Sequence, residues 1–437
     1  MQRALISAYA FSPTLGSEFA QGWNYVQEMK SRYKLTVLVG SSDGRMGDFS
    51  LLDQQLVTNL ADEVEIIRTQ PDWLCRVIKW LDVSLGMSWL FVLGLRRWHW
   101  LAYKQAAALH PQRRFDVVHQ LGPIGFRNPG YLYKLGIPSY WGPIGGFQYI
   151  DLRLAFRSSA RYGVVSIIRN ISTFMAVRSS YVTSAVKGFN KLSFATVTNR
   201  NNFAVLHKVN GRVLSDQATV AGAQHQDKTS KRHEYPLRAI WCGSIDARKN
   251  IRLLLDVAAT LQACQTPVLI TVIGSGPLLA GAVKRTEKLR LTNIRFTGQI
   301  PRQEVKQHFK EAHILCFTSL SEANTSTFFE ALEADCVPIA LDLDGFSSNI
   351  TSAIGYKIST KPGWAGIVEE YAQKLKLLVN DPALLARHVE AIRRESSQFN
   401  WETLAGKHYE ILQSLRLHPG QNVQTSAEPE HKQMSAT

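Results

Sequence analysis

Short apolar runs separated by amphipathic stretches pattern most of this chain. "RALISAYAF", "KLTVLVGS", "VEIIRT", "FDVVHQLG" and "IPSYWGPIGG" each read as a β-strand, and "EFAQGWNYVQEMKSR" reads as a helix between the first two. Such alternation predicts parallel βαβ units with ligands at the carboxyl ends of the strands. The polar break "SDQATVAGAQHQDKTSKRHEYP", Ser215 to Pro236, has few large apolar residues and reads as linker and surface loop. The same grammar then resumes with "RAIWCGS", "NIRLLLDVAATLQA", "VLITVIGSGP", "NIRFTGQ", "EVKQHFKEAHILCFTS" and "TFFEALEADCVPIALD". Two open α/β sheets in series are therefore expected, with a cleft between them. From Gly420 onward periodicity ends, and a disordered tail is expected.

The chain has 437 residues, a length that suits two domains better than one core. A formal net charge of +15 points to an anionic partner: nucleic acid, a membrane face or a phosphorylated substrate. Nucleic acid is disfavoured, because no zinc finger or RNP-like strand occurs. Five widely spaced cysteines (Cys75, Cys242, Cys264, Cys316, Cys336) offer no zinc-type spacing and read as thiols in a reducing compartment. The start "MQRALISAYAFSP" lacks the pattern of a secretory leader. The longest uncharged apolar run, Val83 to Leu95, has 13 residues against the roughly 20 needed to span a bilayer. A soluble or peripheral protein is expected.

Two stretches carry chemistry. In "SLSEANTSTFFEALEADCVPIA", Glu322 ends an apolar strand and Glu330 stands eight positions later on the following helix, with a small, hydroxyl-rich helix start between them. Free N–H groups and the helix dipole at such a start favour a diphosphate, and the two carboxylates suit sugar hydroxyls on either side of it. The second stretch is "SPTLGSEFAQGW", where Gly16-Ser17-Glu18 marks the first strand-to-helix turn. It reads either as a helix cap or as the place where a ligand approaches the backbone.

Glu322-x7-Glu330 followed by "EALEADCVPIA" resembles the E-x7-E signature of the retaining glycosyltransferases of family 4, which have the two-domain GT-B fold. "WCGSIDARKNIRLLLDVAATL", "VIGSGP", "IRFTGQIPRQEVKQHFKEAHILCFTS" and "FNWETLAGKHYEIL" are similar to further segments of that family. The N-terminal half is similar to a subgroup with "GSEPGVGWNW" and a "GPiGG" loop. The resemblance runs from Met1 to Leu417. It implies an N-terminal acceptor-side Rossmann-like domain (1–212), a linker (213–236) and a nucleotide-sugar-binding Rossmann-like domain (237–398). A helix crossing back to the first domain (399–417) and a tail (418–437) complete it.

Carried over residue by residue, the resemblance implies that Glu322 contacts the donor sugar and Glu330 the ribose. Ala323, Asn324, Thr325 and Ser326 would offer backbone donors to the distal phosphate, with Gly274 of "VIGSGP" and Gly16 close to the nucleotide sugar. Lys249 matches the phosphate-binding lysine. The family's arginine is Ser244 here; Arg248, beside Lys249, either restores that charge or is a solvated surface arginine. No metal and no cofactor are implied beyond the nucleotide-diphosphate sugar as co-substrate, since side-chain cations and helix dipoles would carry the leaving charge. The family's "T-x-H" histidine is absent; "WGPIGG" stands in its place, and Gly145 and Gly146 are expected to line the acceptor side. His119 either lines the cleft or is a hydrogen-bonded structural residue. Glu18 either binds acceptor hydroxyls or caps the first helix beside the phosphates.

Trp73 to Lys104 holds five tryptophans and five basic residues against the single acid Asp82, and Asp151 to Lys191 holds seven basic residues against one acid. Both suit an anionic membrane surface, and hence the cytoplasmic face of the plasma membrane with a polyprenyl-diphosphate-linked glycan acceptor; alternatively the tryptophans are core and the cations stand on solvated helix faces. The expected function is sugar transfer in bacterial exopolysaccharide assembly. The alternatives are a catalytically weak nucleotide-sugar-binding partner subunit, prompted by Ser244, and an epimerase, against which "SEANTSTFFEALEA" speaks.

Overall fold

The computed structural model describes residues 1–52, 63–85, 90–219 and 235–417. The linker expected over 213–236 lies mostly outside these residues, and the tail expected over 418–437 lies wholly outside them.

The first domain alternates as the hydropathy requires. β1 (Arg3–Ser7) leads to α1 (Ser17–Met29), β2 (Lys34–Val39) and β3 (Glu65–Arg68); α2 (Trp73–Leu85) and α3 (Leu90–Arg113) follow. β4 (Val117–Gln120) and β5 (Ser139–Ile144) come next, then the helical run α4 (Leu152–Ser158), α5 (Ala160–Val177) and α6 (Ser180–Gly188). β6 (Lys191–Phe194), α7 (Val197–His207) and β7 (Arg212–Val213) complete it. All seven strands are parallel, in the order β3-β2-β1-β4-β5-β6-β7. Central strands are buried on both faces, which is why they read as unbroken apolar runs. The apolar run "RALISAYAF" outlasts its strand: β1 stops at Ser7, and Ala8 to Phe11 are buried in the turn above the sheet.

The second domain has β8 (Leu237–Cys242), α8 (Ile251–Ala263), β9 (Val268–Ile273), α9 (Leu279–Lys288), β10 (Ile294–Gly298), α10 (Arg302–Glu311) and β11 (Ile314–Phe317). It continues with α11 (Ser326–Glu333), β12 (Val337–Leu341), α12 (Asp344–Asn349), β13 (Tyr356–Ile358), α13 (Gly363–Asn380) and α14 (Pro382–Glu395). Its six parallel strands run β10-β9-β8-β11-β12-β13 over a separate apolar core. The last helix, α15 (Trp401–Leu417), returns to the first domain, where Trp401, Leu404, Ala405 and Leu412 join Tyr25, Val26 and Tyr140 in its core. The chain's two crossings between domains are tied together, with Thr219 N donating to Phe399 O at 2.6 Å and Trp401 N to Thr219 O at 3.0 Å.

Each sheet reverses its winding once, between β1 and β4 and between β8 and β11. Loops leaving those four strands at their carboxyl ends therefore flank the crevice where an open α/β sheet receives ligands.

Candidate active site

The loop after β8 carries Arg248 and Lys249, and the loop after β11 carries Glu322. β11 stops at Phe317, so Glu322 stands in a loop rather than at the strand's end. Lys249 Nζ lies 2.5 Å from Glu322 Oε1, and Arg248 Nη1 pairs with the same oxygen. Arg248 Nη1 also donates to Ser321 O at 3.1 Å. The Glu322 and Lys249 side chains are only 12% and 10% exposed, so this is a largely desolvated contact. Two cations share one carboxylate, which leaves a positive charge at the cleft. Ser244, in place of the family's arginine, is exposed in the same loop, so Arg248 rather than residue 244 supplies the second cation here.

α11 begins just beyond. Its N-cap, Thr325, makes no side-chain cap bond, so the first-turn N–H groups keep their capacity for an anion. Ala323, Asn324, Thr325 and Ser326 are all partly exposed at this corner. Glu330 lies farther along the helix, with Arg302 Nη2 3.1 Å from its Oε1. Gly274 contributes differently from the expectation of ligand contact. At φ +134° it packs so tightly that a Cβ would lie 2.0 Å from Gly243 O, so it fixes the close approach of the β8 and β9 ends.

Residues that sequence reasoning missed hold this corner. Gly345 N donates to Glu322 O at 3.3 Å, and a Cβ on Gly345 would overlap Ala323 O at 1.5 Å. The preceding Asp344 accepts from Glu322 N at 3.2 Å. Burial, and secondarily the Glu322 charge, pushes the Asp344 carboxyl up to about 7 against the pull of that N–H bond and of Arg169. Asn324 Nδ2 bridges domains, donating to Asp216 Oδ1 at 2.6 Å and to Ala195 O at 3.2 Å. Burial raises Asp216 to about 6, opposed by the Asn324 bond and aided by the charges of Glu18 and Glu322. The signal for Asp344-Gly345 was a D-G pair after an apolar strand; Asp216 had none.

On the opposite wall Gly16 is the N-cap of α1, with φ −65° and no protein atom within 4 Å of where a Cβ would be. Its backbone conformation needs no glycine. Glu18 is exposed by area, yet enough protein surrounds it in the cleft that desolvation raises its carboxyl above the ordinary range. Its charge is felt at Asp216, which places it opposite the Asn324–Asp216 bridge. Gly145 is committed to backbone pairing, donating to Ile124 O at 2.7 Å, while Gly146 takes φ +81° at the turn into the cleft loop. Beyond it Gln148 Nε2 reaches Ser321 Oγ at 3.1 Å across the domains. His119 is not brought to this surface. It is fully buried, its ring nitrogens taken by Tyr25 Oη (2.8 Å) and Gly142 O (2.7 Å), and burial lowers it to about 3.

Residues 223–395 match the model of the glycosyl transferases group 1 family. The matched span contains Arg248, Lys249, Glu322 and Glu330. Three solved structures share the whole architecture. The lipopolysaccharide outer core galactosyltransferase WaaB in its apo form is 13% identical, with TM-score 0.63 over 95% of this chain and 99% of that one. Sucrose-phosphate synthase from Thermosynechococcus elongatus is 14% identical, with TM-score 0.60 over 95% and 99%. Anabaena HepE in complex with UDP and glucose is 12% identical, with TM-score 0.56 over 95% and 100%. The fold is GT-B. No curated protein matches the chain in sequence. Glu18 and the segment before α11 are linked through Asp216, which feels the Glu18 charge and accepts from Asn324.

Proposed function

We propose that this protein is a retaining glycosyltransferase that moves a sugar from a nucleotide-diphosphate donor to a lipid-linked glycan in polysaccharide assembly. The observation that carries this reading is the cation pair Arg248 and Lys249 on Glu322, beside the uncapped start of α11. An incoming diphosphate competes with Glu322 for both cations and meets the N–H groups of α11. Glu322, released, turns to the hydroxyls of the donor sugar, while Glu330 takes the ribose. UDP and glucose in the Anabaena protein of the same fold support this donor class.

In the reaction the bond between the anomeric carbon and the diphosphate oxygen breaks as the acceptor oxygen bonds to that carbon on the same face. The acceptor proton passes to the departing phosphate oxygen. Lys249, Arg248 and the helix start stabilise the negative charge that grows on the leaving diphosphate, so this mechanism calls on no metal.

A membrane-bound acceptor is supported by two outward apolar faces. On α5, Val164 (53% exposed), Ile168 (64%), Ile171 (56%) and Met175 (66%) form a line at helical spacing, flanked by Arg161 and Arg178. On α2, Trp73 and Trp80 stand exposed two turns apart. Such faces fit the interface of an anionic leaflet. No helix among the described residues is long and apolar enough to cross a membrane. The second reading, a nucleotide-sugar-binding partner subunit of weak activity, is favoured by the exposed Ser244.

A thermal-shift panel of nucleoside diphosphates and their sugars, on wild type and Glu330→Ala, tests the donor site. Stabilisation by one nucleotide series, weakened in the variant, is expected; no shift with any nucleotide overturns the reading. Slow hydrolysis of the bound nucleotide sugar separates the enzyme from the inert partner subunit.

A further inference from the structure

α5 is built with its polar side inward. Ser166 and Thr173 are fully buried, and Asn170 clamps the cleft loop by bonding Ile150 N and Ile150 O at 2.9 and 3.0 Å. An ordinary surface helix presents the opposite arrangement, so the inward polar face requires a purpose of its own. Arg169 lies on it, one turn before Thr173. Arg127 reaches the same face from the β4–β5 connection, donating from Nη2 to Thr173 Oγ1 at 2.7 Å, with its guanidinium 4.8 Å from the centre of the Phe126 ring.

These two arginines are half-buried neighbours of like charge. Burial, and then Arg169, pulls the Arg127 guanidinium below its usual range. Among the described residues neither has a carboxylate within ion-pair distance, in contrast to Arg97, Arg113, Arg285 and Arg393, each of which has one. The Arg169 charge acts on Asp344 of the second domain, whose carboxyl burial raises to about 7. A half-desolvated pair of guanidiniums without an anion is a standing electrostatic penalty unless a ligand supplies the charge. The planar forks suit phosphate oxygens, which accept paired N–H bonds.

We propose that Arg127 and Arg169 form a phosphate-binding subsite on the first-domain wall, which holds the diphosphate of the acceptor while its terminal sugar reaches the donor site. The subsite rests on the transfer reading given above for its biological ligand, but its anion binding is testable without it. The Arg169 charge acts on Asp344, which accepts from Glu322 N, so the subsite adjoins the Glu322 corner.

Inorganic pyrophosphate is the probe, titrated calorimetrically into the full-length protein in two backgrounds: wild type saturated with the nucleoside diphosphate that stabilises it most, and Lys249→Ala. Residual pyrophosphate binding is expected in both, weakened about tenfold by Arg127→Gln or Arg169→Gln, the loss typical of a charge-assisted contact. Arg169→Lys, which keeps charge but not the fork, should recover part of it. Glucuronate in place of pyrophosphate distinguishes a carboxylate-bearing glycan from a diphosphate carrier. Binding of glucuronate alone, no residual pyrophosphate binding in either background, or binding indifferent to both glutamine variants overturns the proposal. Unchanged melting temperature of Arg169→Gln establishes that a loss reflects the site rather than the fold. The donor-site reading fails by a different result, the absence of nucleotide binding in wild type.

Discussion

The two walls of the cleft handle positive charge in opposite ways. On the second-domain wall, Arg248 and Lys249 are already neutralised in part by Glu322. On the first-domain wall, Arg127 and Arg169 have no carboxylate partner among the described residues, and Arg127 donates to Thr173 instead. A cation held by an internal carboxylate is pre-positioned yet discriminating, because a ligand binds only if it competes better than the carboxylate. An unpaired cation attracts any anion of the right geometry and is limited by access. The first arrangement fits a donor whose diphosphate must displace a resident group; the second fits an acceptor guided in from a charged surface.

Removing the ammonium tests the paired wall most severely. Lys249→Ala leaves the leaving group with Arg248 and the helix start alone, and kcat/KM for transfer should fall on the order of a hundredfold or more, as for loss of one buried oxyanion donor. Steady-state kinetics with the identified donor check it; a loss below threefold would mean that Arg248 alone serves. Glu330→Ala comes next. It deletes one charged hydrogen-bond acceptor, so nucleotide affinity should drop about tenfold, read by calorimetry, while folding is unaffected because Glu330 is tied in the structure to the exposed Arg302.

What could be read from the chain divides along the same walls. β8 to β12 and the Lys249, Glu322 and Glu330 constellation were legible because each lies in a short run whose residue types announce a strand end or a helix start. The first-domain wall was not. Arg127 and Arg169 meet only because Thr173 anchors one beside the other, a contact between distant segments that no local period encodes. The stretch Asp151 to Lys191 was legible as basic but not as α4, α5 and α6, since α5 carries its apolar residues on the outside and its polar ones within. Of the two readings of His119, the structure has the hydrogen-bonded, buried one. A histidine on a strand of the central sheet looks available, but Tyr25 and Gly142 occupy both nitrogens and Tyr140 stacks on its ring at 4.3 Å. Gly274 read as a glycine close to the nucleotide sugar, and its packing on Gly243 is a second demand for glycine that the sequence does not distinguish from the first.

A smaller effect is expected from Glu18→Gln. Its carboxyl is raised by desolvation and faces the Asn324–Asp216 bridge. If Glu18 orients acceptor hydroxyls, the amide keeps the shape and weakens transfer several-fold, on the scale of one altered hydrogen bond, with nucleotide binding unchanged. Full transfer activity in the variant would leave Glu18 only its place in the first turn of α1.

The finest test is Asp344→Asn, since Asp344 is the point where the two walls sense each other, accepting from Glu322 N on one side and facing Arg169 on the other. Its carboxyl, ordinarily near 3.8, is raised to about 7 in the folded protein. The native state therefore binds more protons than the unfolded chain between those values, and stability falls as pH rises through that window. Asparagine has the same shape, still accepts from Glu322 N, and does not ionise. The stability of the variant relative to wild type should thus widen from about pH 4 to about pH 7, by a few kcal/mol at most, and stay level above it. Asp216, raised to about 6, titrates in the same window but is common to both proteins and cancels in the difference. Urea denaturation at several pH values gives this directly. A pH-independent difference would show Asp344 ionised throughout and held so by Arg169, and the first-domain arginines would then count as paired across the cleft, erasing the contrast between the walls.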